Sequence, residues 1–170
     1  MLSRIWCLST LLLAALGLVM GGAHLLELPV RAQYDPEFYM RVTSTLYRFY
    51  GFVGGPLQVV ALLLSIGLAW LTHGRPAFHS TLAGTIFLAV SLLLWFLLVQ
   101  PVNAAWSAAL RAGHSEAVRA YAALRGRWEL GHLAAFAAWL VGFTLLLRGA
   151  LTVASLPSDF QSDRRGGSGG

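Results

Sequence analysis

Residues 80–102 read STLAGTIFLAVSLLLWFLLVQPV, an unbroken run without a charged side chain. The hydrocarbon core of a bilayer is about 30 Å thick, and a helix crosses it with roughly 20 apolar residues. Three further runs are similarly long and mainly apolar, with Glu27 and Arg148 as their charged residues, so that the four together occupy residues 5–28, 51–72, 80–102 and 130–153. The pattern predicts an all-α protein, a bundle of four transmembrane helices in a lipid bilayer.

The composition of the whole chain agrees with this prediction. Only 11% of its 170 residues are charged, whereas soluble domains have about 25% charged residues. The four runs leave no room for a separate soluble domain, so residues 1–156 are expected to form one membrane domain, followed by a polar tail at 157–170 with a linker-like end. We expect the membrane to be a bacterial cytoplasmic membrane.

The start of the chain allows a second interpretation. Arg4 and the small residues Gly21 and Gly22 resemble parts of a cleavable signal peptide. The apolar run continues to Leu28, however, which favours an uncut first span.

The distribution of charge and the number of cysteines limit the possible partners, disulfides and metal sites. The net charge of +5 comes from Arg residues scattered over the loops rather than from one stripe, which argues against nucleic acid as a partner. Cys7 is the only cysteine, so intramolecular disulfides and a thiolate metal cage are excluded.

The connections between the spans differ in length and character. Residues 73–79 are short enough for a tight turn, which makes the second and third spans antiparallel neighbours. Residues 29–50 mix aromatic and basic side chains, and residues 104–127 place apolar side chains at helical spacing between Arg residues. Each of these two longer loops is predicted to contain a short helix lying in the headgroup region.

Polar residues within the apolar runs gather at one end of the predicted bundle. His24 and Glu27 close the first span, and Glu129 and His132 open the fourth, each pair on one helix face. Because these spans run in opposite directions, the two pairs meet at the same membrane face. The other spans add amide side chains at this end, namely Gln58, Gln100 and Asn103.

Metal binding is the chemistry that best suits this set. In di-iron and di-manganese bundles, a Glu-x-x-His turn points a carboxylate and an imidazole at one centre. Glu129 and His132 match that turn, and His24 and Glu27 mirror it. Two His and two Glu suit iron, manganese or zinc.

Three side chains are assigned to the surroundings of this metal. Asn103 and Gln58 are expected to orient ligands or substrate. Trp128 is expected either to wall the site or to belong to the aromatic belt.

Simpler interpretations of the same residues stay open. Glu27 lies one turn from Arg31 and Glu129 one turn from Arg125, so each carboxylate can be half of an interfacial ion pair. The two His residues can form hydrogen bonds between helices. They can also be axial ligands of a haem, which ranks below the metal because two carboxylates so near suit haem propionates poorly.

One stretch carries a family resemblance. The segment Pro101-Val102-Asn103, with Arg127-Trp128-Glu129 and His132 after a basic linker, resembles the anthrone-oxygenase-like family of small four-helix membrane proteins. The family pattern corresponds here to Asn103, Trp128 and His132. The resemblance implies oxygenation of a polycyclic aromatic molecule in or at the membrane.

Two classes of function follow. The first is a membrane-embedded oxidoreductase, a metal-dependent oxygenase of a lipophilic or aromatic small molecule, or, without metal, an enzyme that uses the same groups as general base and oxyanion donors. The second is a non-catalytic membrane protein, either a small-molecule or haem carrier or an accessory subunit. In that case the Gly-rich second span, with Gly51, Gly54, Gly55 and Gly67, would pack against a partner or a second copy.

Overall fold

The computed structural model describes residues 2–154, and all regular structure in this range is helical. The predicted tail at 157–170 lies outside the described residues. Six α-helices and two short π-helical turns follow one another along the chain: α1 (Leu2–Arg31), α2 (Pro36–Thr45), a π turn (Tyr50–Gly54), α3 (Gly55–Leu71), α4 (Phe78–Leu94), a second π turn (Trp95–Val99), α5 (Gln100–Ala112) and α6 (His114–Ala154).

Four helical stretches are long and apolar enough to cross a membrane, which confirms the four predicted apolar helices. Two of them are more than ten residues longer than predicted. The third stretch covers Phe78–Ala112 and the fourth His114–Thr152, and these are 35 and 39 residues long. At 1.5 Å per residue each is more than about 50 Å in length.

The four long stretches form a closed ring. Helix α1 packs against α3 and α6, and α4 packs against the same two helices from the other side. Small residues allow the closest contact, since a Cβ atom on Gly84 would lie 2.9 Å from the carbonyl oxygen of Gly142. Buried apolar side chains fill the middle of the ring: Ala14, Ala61, Leu88, Trp139 and Leu146.

The third loop differs from its prediction. Residues 104–127 do not form a separate surface helix, because α5 continues to Ala112 and α6 begins at His114 and runs directly into the fourth apolar stretch. Gly113 separates the two helices with a φ of 116°, a backbone conformation that glycine adopts without strain. No proline lies between Gly113 and the fourth span, so nothing in the sequence stops the helix there.

The first loop contains the predicted short helix. Asp35 caps α2 by accepting a hydrogen bond from the backbone N–H of Phe38 at 3.0 Å. Tyr39 and Met40 of α2 are fully buried and pack with side chains of α5 and α6. Helix α2 therefore closes the loop-side end of the ring over a second core, while its location in the headgroup region stays a prediction.

Both π turns precede a proline. Pro56 lies at the start of α3 and Pro101 at the start of α5. Proline has no N–H group, so Pro101 cannot bond the carbonyl of Leu97. That carbonyl instead accepts a hydrogen bond from Arg127 at 2.7 Å, which ties the third helix to the fourth.

Cysteine labelling tests the crossing of the membrane. In a Cys7→Ala background, single cysteines replace the exposed residues Gln33, Ser115 and Arg75. A membrane-impermeant maleimide added to one side should label Gln33→Cys and Ser115→Cys together, and Arg75→Cys only from the other side, because four spans place both long loops on one face. Labelling of the first two positions from opposite faces would show the four-span arrangement to be wrong.

Candidate functional site

A buried arginine organises the loop-side end of the ring. Arg31, the last residue of α1, is only 2% exposed. Its Nε donates to the hydroxyl of Tyr39 at 3.1 Å, and its Nη1 donates to the hydroxyl of Tyr47 at 3.3 Å. Its Nη2 donates to the carbonyl oxygen of His24 at 3.3 Å and to Oε2 of Glu129 at 3.1 Å. Every nitrogen of the guanidinium thus has an acceptor, as a buried charge requires.

Both predicted carboxylates gather at this arginine. Glu129 accepts hydrogen bonds from Arg31 and from the hydroxyl of Tyr39. Glu27, which is 38% exposed, lies 3.7 Å from Nη1 of Arg31. The ion pair between Glu27 and Arg31 agrees with the simpler interpretation of the sequence, whereas Arg125 is only a distant partner of Glu129, at 4.0 Å.

Two tyrosines from the first loop serve as neutral donors and acceptors in this network. Burial, and next the hydrogen bond to Glu129, raise the pKa of Tyr39 above its usual value. Burial, and next the neighbouring carboxylate of Glu27, raise the pKa of Tyr47 to about 12. Both hydroxyls therefore keep their protons at physiological pH.

The two predicted histidines lie side by side. The ring centroids of His24 and His132 are 4.4 Å apart. Nδ1 of His132 lies 3.0 Å from the carbonyl oxygen of Trp128. Since a carbonyl only accepts, this nitrogen must carry the proton, and the lone pair of neutral His132 is then on Nε2. His24 is only 8% exposed, and its buried Nδ1 has no hydrogen-bond partner among the described residues.

The residues that carry the family resemblance also meet. The indole Nε1 of Trp128 donates to Oδ1 of Asn103 at 2.8 Å. An indole nitrogen only donates, so this bond fixes the amide of Asn103 with its NH₂ group on the other side. Trp128 is 2% exposed and packs against the ring of His132, with centroids 4.1 Å apart. It therefore walls the site and is not part of an exposed aromatic belt.

A cavity of ≈870 Å³ adjoins the histidine pair. Its lining comes from all four long stretches and from the first loop, and most of it is apolar or aromatic. The predicted site residues among its lining are His24, Gln58, Asn103, Trp128 and His132, joined by Gln100. Glu27 and Glu129 are not part of this lining. The structure thus places the imidazoles and amides at the cavity and the carboxylates at Arg31.

The donors fit the predicted metal only in part. Among residues 2–154, no group of three or more His, Cys, Asp or Glu side chains is arranged to hold a metal ion. Two imidazoles on opposite sides of one ion, with bonds of about 2.0 Å, would have ring centroids roughly 6 Å apart. The observed 4.4 Å is too short for a haem held between the two rings. Metal content stays a prediction for the purified protein.

Sequence reasoning did not assign Arg31, Tyr39 and Tyr47 to this site. Arg31 entered only as the neighbour of Glu27, and the tyrosines only as headgroup aromatics. The available signal was the position of an arginine at the end of an apolar run, followed by a loop rich in tyrosine. The contact between Arg31 and Glu129 spans 98 residues, which no local spacing indicates.

Comparisons with known proteins found no relative of this chain. No protein-family model, curated protein or solved structure matches the chain.

Substitution of Arg31 tests whether the network holds this end together. Arg31→Met should lower the free energy of unfolding by about 3–5 kcal/mol, because it leaves the carboxylate of Glu129 without its buried cation. The matched control is Arg41→Met, since Arg41 is 63% exposed and pairs with Glu37 at 2.6 Å. That exposed pair should contribute less than about 1 kcal/mol. Unfolding of both variants in the same detergent measures the difference, and equal losses would contradict the assignment.

Alkaline stability tests the state of Tyr47. Folded Tyr47 holds its proton up to a pKa of about 12, whereas an unfolded tyrosine loses it near 10. The unfolded state therefore binds fewer protons in this interval, and stability falls as the pH rises from 10 to 12. Tyr47→Phe should lose less stability over this range than the wild type, and Tyr34→Phe, outside the network, should follow the wild type. An unchanged pH profile for Tyr47→Phe would contradict the raised pKa.

Proposed function

We propose that the chain is a multi-pass integral membrane protein of a bacterial cytoplasmic membrane that oxygenates a lipophilic aromatic small molecule. The observation that carries this proposal is the pair of imidazoles, His24 and His132, beside a large and mainly apolar cavity. Largely apolar cavities with a few convergent polar groups are the usual form of small-molecule sites. The four long apolar helices support the membrane location.

The histidine pair supplies a general base in this proposal. Nδ1 of His132 is fixed to the carbonyl of Trp128, so Nε2 is the atom that accepts a proton. The adjacent ring of His24 has a buried nitrogen, Nδ1, without a hydrogen-bond partner in residues 2–154. A weakly acidic C–H or O–H group of a substrate in the cavity would give its proton to this pair.

Amide groups stabilise the anion that remains. The NH₂ group of Asn103 is free to donate because its oxygen already accepts from Trp128. Gln58 and Gln100 line the same cavity from the second and third helices. Donors that are in place before the reaction stabilise the oxyanion charge that develops during it.

Molecular oxygen completes the reaction. A substrate CH₂ group conjugated with a carbonyl, as in anthrone, loses a proton to the base. Its carbanion gives electrons to O₂ and forms a C–O bond, and the peroxide anion takes the proton back from the base. The hydroperoxide so formed loses water, with the overall balance R₂CH₂ + O₂ → R₂C=O + H₂O. The reaction class follows the resemblance to anthrone oxygenases, and the base and donors follow the geometry of the cavity. No step of this proposed reaction requires a metal.

Replacement of the base tests the enzyme proposal. In liposomes, His132→Gln should lower the rate of anthrone oxidation to anthraquinone by about 10²-fold or more, the usual contribution of a positioned base. His79→Gln is the control, since His79 is exposed beside the tight turn. Oxygen consumption and anthraquinone absorbance give the rate. A wild type without activity, or a fully active His132→Gln, would contradict the proposal.

Metal analysis tests the earlier metal hypothesis separately. If iron, manganese or zinc binds, His24 and His132 are the donors at the cavity, so His24→Ala and His132→Ala should each lose most of the metal. Gln58→Ala should retain it. Elemental analysis after mild detergent extraction measures the content. A metal-free wild type, or wild-type content in both histidine variants, would end the metal hypothesis and leave the base-catalysed reaction.

The glycines of the second span give little support to the non-catalytic alternative. Gly54 packs against Met20 and Gly67 against Trp6, both within the chain. Only Gly51 and Gly55 have open space around them, and both line the cavity. A homo-oligomer that packs through these two glycines would therefore cover the cavity.

A further inference from the structure

The cavity reaches the outer surface of the ring between the second and third spans. Four of its lining residues are large and apolar yet well exposed: Phe52 (66%), Val59 (47%), Leu93 (55%) and Phe96 (63%). Phe52 and Val59 belong to the second span, and Leu93 and Phe96 to the third. We infer that this rim is a lateral entrance through which a molecule dissolved in the bilayer reaches the histidine pair.

Local structure explains why the two helices leave an opening here. Near the tight turn, α3 and α4 are joined by a hydrogen bond from Thr85 to the carbonyl of Ser65 at 3.1 Å. Toward the loop side each helix has a π turn, and among the described residues the two π turns are not one of the closely packed pairs of elements. Gly51 and Gly55 widen the gap, since a Cβ atom on either would meet nothing within 4 Å. π turns often occur at functional sites.

The depth of the rim places it within the hydrocarbon. The rim residues lie roughly 18–29 Å along their helices from Leu71 or Phe78, at about 1.5 Å per residue. A hydrocarbon core of about 30 Å that begins at the tight turn therefore contains them in its far half. Arg48 lies over the ring of Phe52 at 5.4 Å, as expected where the hydrocarbon meets the headgroups. The entrance thus faces lipid and not water.

The lining defines the chemical class of the occupant. Aromatic and aliphatic side chains form the outer part, so the molecule is flat or slender and mostly apolar. The more buried part of the lining offers the imidazoles of His24 and His132, and the exposed residue Asn103 adds an amide to the lining. Nδ1 of His24 is buried and has no hydrogen-bond partner in the described part of the chain, and a hydrogen-bonding edge of the ligand would satisfy it. The occupant is therefore an aromatic molecule with one polar edge that enters with its polar edge first.

This inference extends the proposed function, because it names the route and the class of the molecule that reaches the proposed base. Its test needs no catalysis. The probe is a phenyl-trifluoromethyl-diazirine dissolved in phosphatidylcholine liposomes, which forms a carbene on illumination and labels side chains within reach. Mass spectrometry at single-residue resolution compares labelling at His24, Trp128 and His132 with labelling at Trp70, which is 83% exposed and serves as the lipid-facing reference.

Two glycine substitutions close the entrance without disturbing the core. Gly55→Leu and Gly51→Leu place a side chain in open space within a helix, where leucine is favoured over glycine. The matched control is Gly126→Leu, since Gly126 is also helical with open space around it but lies outside the cavity lining. Unfolding temperatures of the three variants confirm that each is folded.

The expected result is selective protection of the cavity. Gly55→Leu and Gly51→Leu should lower labelling of His24, Trp128 and His132 at least fivefold relative to Trp70, whereas Gly126→Leu should match the wild type. Unlabelled cavity residues in the wild type, or labelling that survives both substitutions, would overturn the lateral entrance. Labelling of the same residues by a charged, water-soluble diazirine and not by the lipophilic one would also overturn it in favour of an aqueous route. A wild type that does not oxidise anthrone but shows the expected labelling pattern would contradict the enzyme proposal and leave the entrance standing.

Discussion

Burial of the Arg31 guanidinium is the constraint on which the loop-side end of the protein depends. A charge that is 2% exposed needs an acceptor for each of its nitrogens and a countercharge nearby. The end of α1 supplies a carbonyl, the first loop supplies two tyrosine hydroxyls, and α6 supplies Glu129. Satisfaction of this one side chain therefore fixes the first loop, the first helix and the fourth helix relative to one another.

The same network determines which polar groups reach the cavity. Glu129 and Glu27 turn toward Arg31, so their negative charge is neutralised away from the site. The polar groups that line the cavity are the imidazoles, the amides, several hydroxyls and the guanidinium of Arg48. Such a lining accepts an apolar molecule with one hydrogen-bonding edge, whereas two free carboxylates would have demanded a cation or water. Because the two carboxylates lie at Arg31 and the imidazoles and amides lie at the cavity, this end of the protein suits a lipophilic ligand.

Sequence patterns predicted those features that depend on local composition or on chain direction. Apolar runs indicated the four long helices, and the opposite directions of the first and fourth spans brought His24 and His132 to one end. The third loop was predicted wrongly in its details, because its polar helical pattern continues into the fourth span without a stop signal. The position of the carboxylates depended on which arginine is buried, and burial of Arg31 follows from α2 folding over it. The spacing of residues along the sequence does not predict such a contact between distant segments.

The order of synthesis gives the bond between Arg31 and Glu129 a further consequence. These residues are 98 positions apart, so at about 5–20 residues per second the ribosome takes roughly 5–20 s to make the second after the first. During that interval Arg31 has no carboxylate from α6, and its long side chain can extend to the headgroups. When the fourth helix is inserted, Glu129 pairs with Arg31, and His132 comes to lie beside His24. The site is therefore completed only by the fourth span, and a nascent chain that stops earlier carries an arginine with only the nearby carboxylate of Glu27 as its partner.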